Sequence, residues 1–140
     1  MTETKSVIVY GAGVSGCGAA EVLAKHGKQV FLYNDSECKI EDSLAQALAT
    51  NGGALVCGDF AKLLGSAELL VLSPGVPCDN ENVLLAEEKG VEVISEVELA
   101  YRNYGGHIAA ITGTNGKTTT TSIVGEMFKR LPVPSAIGGN

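Results

Sequence analysis

The stretch VIVYGAGVSG, residues 7–16, decides the fold of this 140-residue chain. Its first four residues form a short apolar run that ends at a glycine, which is typical of a strand buried in a parallel sheet. Gly11, Gly13 and Gly16 follow with the G-x-G-x-x-G spacing of a dinucleotide-binding turn, and a helix is predicted over residues 15–26. Such a turn lets a pyrophosphate lie close to the helix N-terminus, so the sequence predicts a nucleotide site here.

The same alternation of strands and helices continues to about residue 104. Four more apolar runs predict strands at residues 30–33, 54–56, 69–72 and 91–94. The segments between them predict helices at residues 40–50, 82–89 and 96–104, with a short helical turn at 60–64. The predicted fold class is therefore α/β, a Rossmann-like, doubly wound parallel sheet with right-handed crossovers. Because Gly105 and Gly106 end the last helix, we expect residues 1–105 to form one domain.

A phosphate-binding loop is predicted in ITGTNGKTT, residues 111–119, between an apolar strand at 108–111 and a helix at about 117–130. Small and hydroxyl-bearing residues surround one lysine in this loop: Gly113, Thr114, Asn115, Gly116, Lys117, Thr118 and Thr119. Converging backbone N–H groups and the Lys117 ammonium suit phosphate oxygens, and the Thr118 hydroxyl is placed to reach a phosphate-bound Mg²⁺. The glycine that the common P-loop pattern places five residues before Gly116 is replaced by Ile111.

Residues 106–140 are predicted to be the start of a second domain, which carries this phosphate-binding loop. After the helix, only a short strand at residues 136–137 is expected. One helix and two strands cannot bury a core of their own, so we expect the sequence to be a fragment of a longer protein.

Composition excludes several classes of function. The net charge of −6, from ten basic and sixteen acidic residues, argues against nucleic acid as a partner. The four cysteines stand singly, without a C-x-x-C pair or a histidine at ligand spacing, which argues against a metal site and a disulfide framework. No apolar run approaches the roughly 20 residues that would cross a membrane, and a cytoplasmic location is expected.

Two further positions border the predicted nucleotide site. Asp35 ends the second strand, 19 residues after Gly16, where dinucleotide-binding folds place a carboxylate on a ribose hydroxyl. The loop SPGVP, residues 73–77, follows the fourth strand at the edge where open α/β sheets bind ligands. Taken alone, the glycine turn and Asp35 leave open an NAD(P)-binding oxidoreductase domain or a nucleotide-binding module without catalytic activity. The oxidoreductase hypothesis does not account for the second phosphate loop.

The order of these motifs resembles the Mur ligase family. The resemblance rests on six segments: GAGVSG at residues 11–16, the strand that ends in Asp35, LSPGVP at 72–77, VISEVELA at 93–100, ITGTNGKTTT at 111–120 and GGN at 138–140. LSPGVP followed by SEVEL resembles the branch of that family that adds D-glutamate to UDP-N-acetylmuramoyl-L-alanine. Together these segments extend the resemblance over essentially the whole chain.

The resemblance implies a cytoplasmic, monomeric enzyme of peptidoglycan synthesis that uses ATP and Mg²⁺. In such an enzyme ATP phosphorylates the carboxylate of UDP-N-acetylmuramoyl-L-alanine, and D-glutamate attacks the acyl phosphate. The implied contacts with the UDP-sugar are Val14, Ser15 and Asn140 near the diphosphate, Asp35 and Ser36 at the uracil, and Gly75 nearby. Lys117 is implied as a catalytic residue that contacts ATP, and Thr118 as a metal ligand.

Overall fold

The computed structural model describes residues 5–132 and 134–138, and the chain divides into two compact units, residues 1–104 and 105–140. The strands of the first unit are β1 (Ser6–Tyr10), β2 (Gln29–Asn34), β3 (Ala54–Cys57), β4 (Ala67–Leu72) and β5 (Glu92–Ser95). Its helices are α1 (Val14–Lys25), α2 (Asp42–Thr50), α3 (Glu81–Glu88) and α4 (Glu96–Asn103), with a 3₁₀ turn at Phe60–Leu63. This alternation confirms the predicted α/β class.

The strands pair in the order β3-β2-β1-β4-β5, and every pair is parallel. The chain first moves from β1 to one side of the sheet and then crosses to the other side with β4. The strand order therefore reverses beside β1, and open sheets of this kind bind ligands at the carboxyl ends of the strands next to such a reversal. The glycine turn follows directly after β1, so it lies at this point.

Strand β1 is buried along its whole length, and its alternate side chains enter two separate cores. Val7 and Val9 pack with residues of α1, α2 and α4 on one face of the sheet. Ile8 and Tyr10 pack with the 3₁₀ turn and α3 on the other face. Helices cover both faces because a parallel strand that is apolar on both sides must be buried on both sides.

The described residues of the second unit form one helix, α5 (Lys117–Phe128), at the place where a helix was predicted. The strands predicted at residues 108–111 and 136–137 were wrong, because both segments are irregular. A parallel strand forms only when its backbone groups pair with a neighbouring strand, and the described residues of this unit supply no such neighbour. The apolar run at 108–111 was therefore not sufficient to predict a strand.

The other boundaries were predicted to within about two residues. Strand β4 begins at Ala67 rather than at residue 69, and α2 begins at Asp42 rather than at residue 40. Within the described part of the chain, no helix combines the length and the apolar character needed to cross a membrane.

Candidate nucleotide-binding site

The glycine turn after β1 is shaped by backbone contacts that only glycine permits. Gly11 has a φ of 103°, in the left-handed region that side chains disfavour. A Cβ atom on Gly16 would lie 1.8 Å from the carbonyl oxygen of Gly11 and 2.6 Å from Oγ of Ser73. The absence of a side chain at residue 16 therefore lets α1 begin directly against the end of β1.

The N-terminus of α1 is suited to an anion. Its N-cap residue is Gly13, which has no side chain to accept a hydrogen bond, and its first turn contains no acidic residue. The first N–H groups of a helix lack partners within the helix and carry partial positive charge. Val14, at the start of this helix, is 96% exposed. A phosphate group can therefore approach these N–H groups without displacing a side chain.

Ser73 fixes the loop after β4 beside the glycine turn. It is buried, its Oγ donates a hydrogen bond of 3.0 Å to the carbonyl oxygen of Gly11, and its backbone N–H donates to the carbonyl of Tyr10. The Ser73 carbonyl in turn accepts from the N–H of Val76, which closes a tight turn around Gly75. The loop predicted from SPGVP thus forms one wall of the site.

Asn34 connects the end of β2 to the same turn. Its Oδ1 accepts a 3.2 Å hydrogen bond from the N–H of Ala12, and its Nδ2 donates a 2.9 Å bond to the carbonyl of Ser36. One side chain therefore fixes the position of the glycine turn relative to the segment that carries Asp35 and Ser36.

Asp35 is exposed, and Tyr10 lies beneath it. The Tyr10 hydroxyl donates a 2.7 Å hydrogen bond to Oδ1 of Asp35, while the Tyr10 residue is only 1% exposed. The Tyr10 ring packs against Tyr33 and Phe60, with ring centroids 5.0 and 5.7 Å away. Burial, reinforced by the hydrogen bond to the Asp35 carboxylate, raises the pKa of Tyr10. The phenol therefore stays protonated and remains a donor near neutral pH.

These groups surround an open cleft of about 480 Å³ at the carboxyl ends of β1, β2 and β4. The residues that line it come from three places: the end of β1 with the glycine turn and the start of α1, the end of β2, and the loop after β4. They are Tyr10, Gly11, Ala12, Gly13, Val14, Ser15, Asn34, Asp35, Ser73, Pro74, Gly75 and Val76. Four of the expected UDP-sugar residues thus lie together, namely Val14, Ser15, Asp35 and Gly75.

Ser36 follows Asp35 but is not part of the cleft lining, and Asn140 lies outside the described residues. Sequence reasoning missed Tyr10 and Asn34 as parts of the site. The available signal was weak: a tyrosine ends an otherwise aliphatic strand, and an asparagine stands just before Asp35.

The second predicted site is the loop before α5. Gly116, the N-cap residue, has a left-handed φ of 78°, and the first turn of the helix contains no acidic residue. Lys117 turns back over the loop, and its Nζ donates a hydrogen bond to the carbonyl of Gly113. Residues 112–120 are exposed. An uncapped helix N-terminus beside an ammonium group suits an anionic phosphate group.

Comparison with known proteins gives the family of this chain. Residues 5–95 match the family model described as "Mur ligase MurD-like, N-terminal domain". The chain is 41% identical over 139 residues to the UDP-N-acetylmuramoylalanine--D-glutamate ligase of Lachnospira eligens, covering 99% of this chain and 31% of that protein. It is 42% identical over 142 residues to the ligase of the same name from Alkaliphilus oremlandii, covering 97% and 31%. The chain thus spans about a third of the length of these curated relatives.

Two solved structures share the fold. The murein peptide ligase mpl of Psychrobacter arcticus 273-4 superposes with a TM-score of 0.59 at 19% identity, covering 89% of this chain and 26% of that one. The UDP-N-acetylmuramate:L-alanyl-gamma-D-glutamyl-meso-diaminopimelate ligase from Neisseria meningitides gives a TM-score of 0.54 at 23% identity, covering 90% and 40%.

Proposed function

Because this chain belongs to the MurD-like Mur ligases, we propose that its first domain, residues 1–105, binds the uridine diphosphate part of UDP-N-acetylmuramoyl-L-alanine. The observation that carries the proposal is the cleft that brings the glycine turn, Asp35 and the loop around Gly75 together. In this proposal the N–H groups of Val14 and Ser15, with the Ser15 hydroxyl, hold the diphosphate at the N-terminus of α1.

Asp35 is proposed to recognise the base. Uracil has one ring N–H group, and a carboxylate that accepts a hydrogen bond from it makes a charge-assisted contact. Ser36 adds a second polar contact, and Gly75 allows the backbone of its loop to approach the ring closely. Hydrogen bonds from Tyr10 and Asn34 support this end of the cleft.

For residues 106–140 we propose an ATP site. The loop from Gly113 to Thr119 holds the phosphates through its N–H groups, Lys117 supplies positive charge, and Thr118 offers a hydroxyl ligand to Mg²⁺. ATP and Mg²⁺ would supply the phosphoryl group and the charge neutralisation that activate a carboxylate for attack by D-glutamate. The protein to which this chain belongs is then a monomeric, cytoplasmic, ATP-dependent ligase of peptidoglycan synthesis.

The 140 residues by themselves are proposed to be inactive in ligation. Phosphoryl transfer depends on exact placement of both substrates and metal ions, and this chain spans about a third of its curated relatives. ADP release should be measured with UDP-N-acetylmuramoyl-L-alanine, D-glutamate, ATP and Mg²⁺, and substrate-dependent turnover would contradict the proposal.

Binding of NAD is the second candidate, because the glycine turn followed by Asp35 at the end of β2 is also the dinucleotide pattern. Calorimetric titration of the chain with UDP, UDP-N-acetylmuramoyl-L-alanine and NAD separates the two functions. We expect both uridine ligands to bind more tightly than NAD. Tighter binding of NAD would refute the uridine assignment and favour an oxidoreductase domain.

A further inference from the structure

The hydroxyl of Tyr10 is not required for packing. Tyr10 is the last residue of a strand whose other apolar members are Val7, Ile8 and Val9, and its ring is enclosed by Tyr33 and Phe60. A phenylalanine would fill the same space. Burying a hydroxyl without a partner is unfavourable, and here the Tyr10 hydroxyl has partners in Asp35 and Asn82.

The hydrogen bonds around this hydroxyl have a defined direction. Nδ2 of Asn82, in the first turn of α3, donates to Oη of Tyr10 at 3.3 Å. Oη lies 2.7 Å from Oδ1 of Asp35 but 3.4 Å from Oδ1 of Asn80, and the latter already accepts a 2.9 Å bond from the N–H of Asn82. The single phenol proton is therefore directed to Asp35, and the bonds run from Asn82 through Tyr10 to Asp35.

This chain of hydrogen bonds restrains an otherwise exposed carboxylate. Hydrogen bonds from the described residues reach only Oδ1 of Asp35, so Oδ2 is left for a ligand in the cleft. Two donors in series polarise each other, which strengthens the final bond to the carboxylate. Holding a binding group in one rotamer before the ligand arrives reduces the entropy lost on binding.

We propose that Tyr10 is a positioning residue that, supported by Asn82, aims the Asp35 carboxylate at the N–H donor of a pyrimidine base in the cleft. The inference rests on the proposed uridine-binding function and adds a specificity role for two residues outside the motifs. Tyr10 acts only through Asp35, and this distinguishes it from a residue that merely stabilises the fold.

The experiment compares Tyr10→Phe with Tyr33→Phe by calorimetric titration with UDP. Each variant loses one phenol hydroxyl from the same aromatic cluster. The Tyr33 hydroxyl also lies near Asp35, but it donates its single proton to the carbonyl of Gly58 at 2.8 Å. We expect Tyr10→Phe to weaken UDP binding about five- to tenfold, and Tyr33→Phe to change it less than about twofold. Asn82→Ala, which leaves β1 unchanged, should weaken binding by about two- to threefold.

A double-mutant cycle tests whether Tyr10 acts through Asp35. In an Asp35→Ala background, Tyr10→Phe should produce no further loss of UDP affinity, because the carboxylate that it positions is absent. An equal loss in both backgrounds, or unchanged binding by Tyr10→Phe in the otherwise native chain, would overturn the inference while leaving uridine binding established. A native chain that binds no UDP would instead overturn the proposed function, and the inference with it.

Discussion

Replacing Gly16 with alanine tests how closely α1 must approach the end of β1. The added methyl group would lie 1.8 Å from the Gly11 carbonyl oxygen and 2.6 Å from Oγ of Ser73, whereas real Cβ contacts essentially never fall below 3.0 Å. The methyl group and the carbonyl must therefore separate by more than about 1 Å, and one of them is rigid backbone. Either α1 moves away from the sheet or the turn after β1 opens.

The matched control is Gly18→Ala, two residues further along the same helix. Gly18 is exposed, and apart from its chain neighbours and the adjacent backbone of its own helix, no atom lies within 4 Å of a Cβ built on it. Alanine there should stabilise the helix by about 0.5–1 kcal/mol, because glycine is the poorer helix former. Forcing a methyl group into the packed position of Gly16 should cost about 1–3 kcal/mol or more.

Thermal unfolding of the two variants measures the difference. For a domain of about 100 residues, 1 kcal/mol corresponds to about 4–8 °C in Tm, so the variants should differ by at least about 6 °C. Gly16→Ala should also lose affinity for UDP, since the N–H groups of the turn are displaced, and Gly18→Ala should retain it. A Gly16→Ala protein with native Tm and native UDP affinity would refute this account of the turn.

Three further predictions concern single side chains. Asp35→Ala should weaken UDP binding by about 1–3 kcal/mol, because a hydrogen-bond donor of the ligand loses its charged partner. Unchanged affinity by calorimetry would show that Asp35 does not contact the ligand. The pKa of Tyr10 is raised above 10.0 in the folded chain. Above pH 10 the unfolded chain therefore loses the phenol proton before the folded chain does. The stability that the protonated phenol contributes is complete below pH 10 and is lost as pH rises further. Urea unfolding from about pH 9 to about pH 11 should therefore show a fall in stability that is smaller in Tyr10→Phe, and an identical fall would contradict it. Lys117→Ala should leave the UDP affinity of this chain unchanged. In a protein as long as the relatives, the same substitution should lower turnover by orders of magnitude. Near-native ADP release by that variant would exclude a catalytic role for Lys117.

The sequence predicted the features of the site that arise from neighbouring residues. Gly11, Gly13 and Gly16 lie within six residues, and the apolar run before them ends where the turn must begin. Such local patterns give the strand, the turn and the helix N-terminus, and the parallel sheet then follows from the repeated strand–helix alternation. Asp35 was found in the same way, from its distance to Gly16.

The contacts that hold the site together could not be predicted in this way. The hydrogen bonds from Ala12 to Asn34, from Tyr10 to Asp35 and from Ser73 to Gly11 join residues 22, 25 and 62 positions apart. They depend on the register of neighbouring strands, which composition does not determine. The strand predicted at 108–111 failed for the same reason, because whether an apolar run becomes a strand depends on its neighbours.

Selectivity at this cleft must come from the side chains and not from the glycine turn. The N-terminus of α1 can bind a diphosphate, and UDP and NAD both contain one. A ribose diol offers two hydroxyl groups and is accepted best by both oxygens of a carboxylate, whereas uracil offers a single ring N–H group. Oδ1 of Asp35 is already engaged by Tyr10, so the remaining oxygen matches one donor better than two. We therefore expect the tyrosine that ends β1 to favour a uridine ligand over a dinucleotide.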